Sequence, residues 1–245
     1  MTATLSDIAH PYLNEWLSNI GQQGPDPVAT FGQIERVARE LGFEHCAYGL
    51  RLPLSFTARR FMLMSTYDDA WRQRYHDANY VAIDPTVLHG TRSLLPLVWS
   101  NDLFIDAPEL WAEARSFGLR VGWAQSCFDA EGHIGMLTVA RSHDAFTAAE
   151  LRVIDPILRV LANVSHAAMA PAMAGRKRPN LKPLTPRERE VLKWTADGKT
   201  SEQVAEILEI SANTVNFHMK SVLEKLQVAN RTAAATCAAV LGLLD

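Results

Sequence analysis

Apolar positions change period several times along the chain, and each change marks an element. From Val28 to Leu41 they recur at helical spacing, with Phe31, Ile34, Val37, Ala38 and Leu41 on one face and Gly42 as the stop. "HCAYGLRL" and "RFMLMST" then read as two strands, joined by a loop that holds Pro53. A helix is predicted from Asp68 to about Asp77, then a short strand near Val98 and a helix over Pro108–Phe117. Strands "VGWAQSCF" and "HIGMLTVAR" follow, and a long helix opens with Thr147 and Glu150 as a capping box. Pro156 falls inside that last pattern and is expected to start or kink a turn. Strands clustered between helices predict an antiparallel sheet flanked by helices, an α-β-α sandwich.

"AMAPAMAGRKRPNLKP", from Ala168 to Pro183, has three prolines, a glycine, a basic cluster and no periodicity. It reads as a linker, so the chain divides into residues 1–168, a linker over 169–182 and residues 183–245. Arg176-Lys177-Arg178 within it suits a solvated hinge or a contact to phosphate equally well. The last part is helical and tightly punctuated. Thr185, Pro186 and Glu188 form an N-cap, a first-turn proline and a capping box, and Gly198 ends that helix. Thr200 with Gln203 repeats the arrangement, Ser211 caps a third helix, and "ANRTAAATCAAVLGLL" makes a fourth. The expected fold class is therefore α+β, with an all-α four-helix domain that holds a helix-turn-helix.

Composition narrows the class little: 48% hydrophobic and 21% charged residues are ordinary for a globular protein. No apolar run approaches the roughly 20 residues of a membrane span, and residues 1–20 lack the pattern of a signal peptide. Cys46, Cys127 and Cys237 are scattered and odd in number, which fits reduced thiols in a cytoplasm. Charge is divided unevenly. Residues 176–245 hold 11 Lys+Arg against 8 Asp+Glu, a net of +3, whereas the remainder holds 13 against 19, a net of −6. A basic C-terminal part hints at nucleic acid.

The third of these C-terminal helices sharpens that hint. Val215, Met219, Val222, Leu223 and Leu226 make one apolar stripe. At about 100° per residue Phe217 falls almost opposite it, with Asn213 and Lys220 beside it. An exposed Phe among amide and cationic groups suits a helix in the major groove, where a ring meets a thymine methyl and Asn pairs with adenine. Thr214 at the helix's N-terminal end and Lys199 before the preceding helix are placed to hold phosphates. "LTPREREVLKWTADGKTSEQVAEILEISANTVNFHMKSVLEKL" resembles the LuxR-type helix-turn-helix domain, the likeness being carried by Glu188, Leu192, Gly198, Ile207, Thr214, Val215 and Leu226. The resemblance implies that Val215 anchors the reading helix while Asn216, Phe217 and Lys220 face DNA. The angular pattern agrees on Phe217 and Lys220 and leaves Asn216 at the edge.

"YDDAWRQRYHDANYVAIDP" places Tyr67, Trp71 and Tyr75 on one helical face, and Pro85 holds Asp84 in extended backbone. A bare aromatic stripe is more often core than site. Here, however, Tyr67, Trp71, Tyr75, Asp84-Pro85, Trp99, Gly118 and Thr138 occur in the order and spacing of the autoinducer-binding domain of acyl-homoserine-lactone receptors, which the segment resembles. The resemblance implies an N-acyl-homoserine lactone as ligand, with no cofactor, no bound metal and no catalytic residue. The roles follow from donor and acceptor chemistry: Asp84 accepts the ligand amide N–H, Trp71 donates to the lactone carbonyl, and the Tyr67 and Thr138 hydroxyls serve the acyl carbonyl. Tyr75 and Trp99 wall the ligand, and tail preference is expected to depend on Met62, Met64 and Cys46. The expected partners are double-stranded promoter DNA with a palindromic site, a second copy of the chain, and RNA polymerase, without a membrane. The apolar fourth helix is expected to contribute to dimerisation.

Other readings remain. A phosphorylated receiver would need an acidic pair after a strand, and Asp68-Asp69 starts a helix instead. A lactone-degrading enzyme would need a metal-rich or nucleophilic centre. His45, His76, His89, His133 and His143 show no metal-ligand spacing, and no G-x-S-x-G occurs. A receptor for a non-lactone ligand stays open.

Overall fold

The structure, a computed structural model, describes Glu15 and residues 26–52, 61–174 and 182–244. The loop with Pro53 and the cluster Arg176-Lys177-Arg178 lie outside the described residues. Two compact units form, each with its own core.

In the first unit, helix α1 (Pro27–Glu40) starts at Asp26, whose carboxylate accepts from the Val28 N–H. Strands β1 (His45–Arg51) and β2 (Phe61–Ser65) come next, followed by α2 (Asp69–Asp77), capped by Asp68. A single 3₁₀ turn (Tyr80–Ala82), α3 (Pro85–Gly90), β3 (Leu97–Val98) and α4 (Pro108–Ser116) lead to β4 (Val121–Phe128), β5 (Ile134–Arg141) and α5 (Ala148–Ala174). The five strands form one antiparallel sheet in the order β2-β1-β5-β4-β3. The 3₁₀ turn and α3 carry no apolar period and are too short for one to show, so only the structure reveals them.

Strand alternation sorts side chains by size. Cys46, Tyr48 and Leu50 of β1, Trp123 of β4 and Leu137 and Val139 of β5 enter the core shared with Phe31, Ile34 and Val37 of α1 and Leu158, Leu161 and Met169 of α5. The opposite face carries small residues. Ala47, Thr138 and Ala124 lie abreast across β1, β5 and β4, and Gly49 lies beside Met136. A sheet face floored by such short side chains leaves space above it. Large residues on both faces would close that space.

Two expectations for α5 are corrected. Pro156 neither ends nor starts a turn; it sits with Pro171 inside one helix. Both prolines are exposed, as are Arg152 and Ala167, whose carbonyls lose an intrahelical partner, so solvent can take over those bonds. The helix also runs to Ala174, into the stretch read as linker, because the almost fully buried Met169 and Ala170 continue its core stripe.

In the second unit, helices α6 (Pro186–Ala196), α7 (Ser201–Leu208), α8 (Ala212–Leu226) and α9 (Arg231–Val240) enclose Val191, Leu192, Val204, Val215, Met219, Val222 and Leu226. Both capping boxes are formed, at Thr185/Glu188 and Thr200/Gln203. Glu209 in left-handed conformation ends α7, and the Ser211 side chain caps α8 two residues later, giving a helix-turn-helix. The α+β expectation holds, with the antiparallel sheet in one unit and helices alone in the other.

Candidate ligand pocket and DNA-facing helix

A cavity of about 90 Å³ lies on the small-residue face of the sheet. That is well above the roughly 10–15 Å³ a single water needs. Ala47, Gly49, Met136 and Thr138 floor it, and α2, α3 and α4 wall it. Tyr67, Trp71, Tyr75, Asp84, Trp99 and Thr138 all line this one space, although 71 positions separate the first from the last.

Each wall residue is fixed by its neighbours. Trp71 is 3% exposed and meets Tyr75 edge-on at 5.8 Å, with Tyr80 and Phe117 beyond. Trp99 lies flat over Gly122, where a Cβ would come within 2.2 Å of the indole. Its Nε1 is a buried donor without a partner among the described residues. Phe104 and Trp111 stack at 4.5 Å, and Trp111 stands edge-on to Trp99. Phe104, Leu110 and Trp111 also line the cavity, and sequence reasoning missed them. The helical spacing of Leu110, Trp111 and Ala114 offered a signal, whereas Phe104 lies in a turn with none.

Asp84 sits where α2 and α3 meet. Its Oδ1 accepts from the Thr86 N–H at 2.8 Å and the Thr86 hydroxyl at 2.6 Å, which caps α3. Its Oδ2 accepts the Tyr75 hydroxyl at 2.9 Å. The carboxylate is enclosed by protein yet borders the cavity, hence only half-buried by surface area. Burial raises its pKa above the usual carboxylate value, partly offset by bonds from Thr86 and Tyr75. Burial, then the Asp84 charge, raises the Tyr75 phenol, and burial raises that of Tyr67, so both remain donors. Of the two oxygens, Oδ1 accepts two of these hydrogen bonds and Oδ2 one, and the Val87 backbone N–H also favours the ionised form.

The expected tail contacts need correction. Met62, Met64 and Cys46 pack against the α1/α5 core, on the far side of the sheet. A shift of one residue along a strand reverses the face, so Phe61 and Leu63 of β2 line the cavity instead.

On α8, Val215, Met219, Val222 and Leu226 are buried, with Leu223 half-buried, and Phe217 is 71% exposed opposite them. Asn213, Asn216 and Lys220 are exposed on the same helix, and Lys199 is exposed before α7. Thr214 is half-buried, its hydroxyl 2.8 Å from the capping Ser211. Asn216 differs from Asn213: its Oδ1 accepts from Arg231 at 2.6 Å and Ser201 at 2.8 Å. An Asn needs both its oxygen and its amide to pair with adenine, so Asn216 can offer DNA only a donor, while Asn213 keeps both groups. The Arg231 bond joins α9 to α8 across a gap of fifteen positions and left no trace in the pattern.

The autoinducer binding domain model matches residues 26–169, and that of the bacterial regulatory proteins of the luxR family matches residues 182–238. The chain belongs to the LuxR family. It is an autoinducer-binding transcription regulator of quorum sensing. The transcriptional activator protein SolR of Ralstonia nicotianae is 41% identical over 215 residues, covering 87% of this chain and 91% of that one. The HTH-type quorum-sensing regulator RhlR of Pseudomonas aeruginosa is 39% identical, covering 89% and 91%. A solved structure of SdiA in complex with octanoyl-rac-glycerol superposes with a TM-score of 0.80 at 31% identity, covering 100% of this chain and 98% of that one. SdiA is named as a regulatory protein of Escherichia coli. Relatives of this kind are regulators and the family is non-enzymatic. Among the described residues no helix is long and apolar enough to cross a membrane.

Proposed function

We propose that the autoinducer is an N-acyl-homoserine lactone and that the regulator binds a palindromic promoter site as a dimer. The observation that carries the ligand reading is the enclosed Asp84 carboxylate at the edge of a largely apolar, aromatic cavity. An amide N–H donates to that carboxylate. The Trp71 indole donates to the lactone carbonyl, the Tyr67 and Thr138 hydroxyls serve the acyl carbonyl, and the unpartnered Trp99 Nε1 fits a ligand oxygen. Leu63, Leu110 and Leu119 offer the tail apolar surface.

The acylglycerol held by SdiA supports a second reading, in which the ligand has an acyl chain but no amide. Calorimetric titration with a lactone and with its ester counterpart, in which oxygen replaces the amide N–H, separates the two. The amide is expected to bind at least about tenfold tighter, and Asp84→Asn to abolish the difference. Equal affinities in the unaltered protein would refute the lactone reading.

For DNA, Asn213, Phe217 and Lys220 present a contiguous exposed face on α8, supported by Asn216, Thr214 and Lys199. Two such helices would meet half-sites about one helical turn apart. Sedimentation of the lactone-loaded chain on operator DNA is expected to give two chains per site. A single chain per site would exclude the dimer.

A further inference from the structure

We propose that Asp129, His133 and His166 form a divalent transition-metal site that fastens the β4–β5 turn to α5. The turn is pre-shaped: Asp129 Oδ1 accepts the His133 backbone N–H at 2.8 Å, and Asp129 Oδ2 lies 2.7 Å from His133 Nδ1. From α5, His166 points the other imidazole at the same oxygen, its Nε2 3.7 Å away. His166 is only 4% exposed, and its Nε2 has no hydrogen-bond partner among the described residues. A buried polar atom left so is unfavourable unless something fills the gap.

The imidazole is held in this orientation. Its Nδ1 is 2.7 Å from the Tyr48 hydroxyl, and Gly135 makes the pair possible, since a Cβ there would fall 2.2 Å from Nδ1 and 2.3 Å from the hydroxyl oxygen. A ring nitrogen tied to a polar partner while the other stays bare is the arrangement of a metal-ligating histidine. Zinc bonds of about 2.0–2.2 Å place tetrahedral ligand atoms roughly 3.3–3.6 Å apart. The distances of the two imidazoles from Asp129 Oδ2, 2.7 Å for His133 and 3.7 Å for His166, bracket that range. Glu131, in the same turn, has an oxygen within 4.8 Å of ligand atoms on Asp129 and His133. Two imidazoles with carboxylate favour a zinc-like ion over magnesium or calcium. The site lies on the α5 side of the sheet, away from the ligand cavity.

Calorimetric titration of the chelator-stripped full chain with zinc chloride tests this, with circular dichroism as the check on folding. One equivalent is expected to bind. His133→Ala and His166→Gln should each weaken binding by more than the roughly tenfold loss expected from Tyr48→Phe. Cobalt(II) in place of zinc should show visible bands without thiolate charge transfer, which excludes the three cysteines. Should His166→Gln fail to fold, His133→Ala decides. No equivalent bound, a thiolate spectrum, or undiminished binding by His133→Ala would overturn the site.

Discussion

Asp84 accepts the Tyr75 hydroxyl, which turns its carboxylate toward α2, while the bonds from Thr86 draw it into the first turn of α3. In the proposed reading capping and ligand recognition share one side chain, and a single substitution can separate them. Asn caps about as well as Asp, so Asp84→Asn should leave thermal stability nearly unchanged. Its neutral amide replaces a charged acceptor, and its NH₂ can face the ligand's N–H. Hydrogen bonds to charged groups contribute about 1.5–3 kcal/mol, so calorimetry should record at least a tenfold loss of lactone affinity. Acid should mimic the change. Burial holds the Asp84 pKa above the usual carboxylate value, and a ligand N–H favours the ionised form. Affinity should thus be full above that pKa and fall as pH drops through it, and the Asn variant should lack this acid limb. The aromatic positions around Asp84 were legible because i, i+4 spacing survives in sequence. The bonds from Thr86 and Tyr75 were not, since they depend on a six-residue helix and a 3₁₀ turn too short to carry a period.

At the level of the element, α8 shows how much a period can reveal. Its buried stripe and its exposed Phe217 follow from 3.6-residue geometry alone. Lys220→Ala is expected to weaken operator binding and flatten its salt dependence, the log–log slope falling by about 0.9 for each phosphate no longer neutralised. Phe217→Ala should instead lower discrimination between operator and scrambled DNA, measured by competition. Unchanged slopes and unchanged discrimination would place DNA on another face. What the period could not reveal is how α8 is pinned to α6. Glu188, predicted as a capping-box residue, is also bonded by Lys225 at 2.6 Å and Ser221 at 2.7 Å. Burial raises its pKa, but the bonds from Lys225, Ser221 and Thr185 prevail and hold it at about 2. Because the folded value lies below the unfolded one, its stabilisation is fully present above about pH 4.5 and is lost as pH falls through about 2. It amounts to roughly 3 kcal/mol at pH 7 and about 1 at pH 3. Glu188→Gln should therefore destabilise the helical unit in denaturant titrations at pH 7 and much less at pH 3. Strands tell the opposite story: their alternation was readable, yet which face met the cavity was not. Met62 and Met64 are as suited to an acyl chain as Phe61 and Leu63 until the register with β1 is known.

Across the whole molecule, the cavity and one of the cores share their walls. Trp71, Phe104, Leu110, Trp111, Ala114 and Leu119 pack together as a cluster and also line the ligand space, so an occupant extends that cluster. The other core of the same unit, between the sheet and α1/α5, is closed by Phe31, Ile34, Leu158 and Leu161 without any ligand. A ligand that binds only the folded state adds RT ln(1 + [L]/Kd), about 2.7 kcal/mol at 100 Kd, and should raise the melting temperature wherever it binds. Location is decided by where amides become protected. Opening of α2 and α4 would expose an occupant of the cavity, whereas fraying of α1 would not. Saturating lactone should therefore slow hydrogen exchange in α2, α4 and the Met136–Thr138 stretch of β5 together, and change α1 far less. Protection spread evenly over the unit would mean that the ligand stabilises only global folding. Protection confined to residues 182–244 would place the ligand outside the cavity and detach the aromatic stripe from recognition.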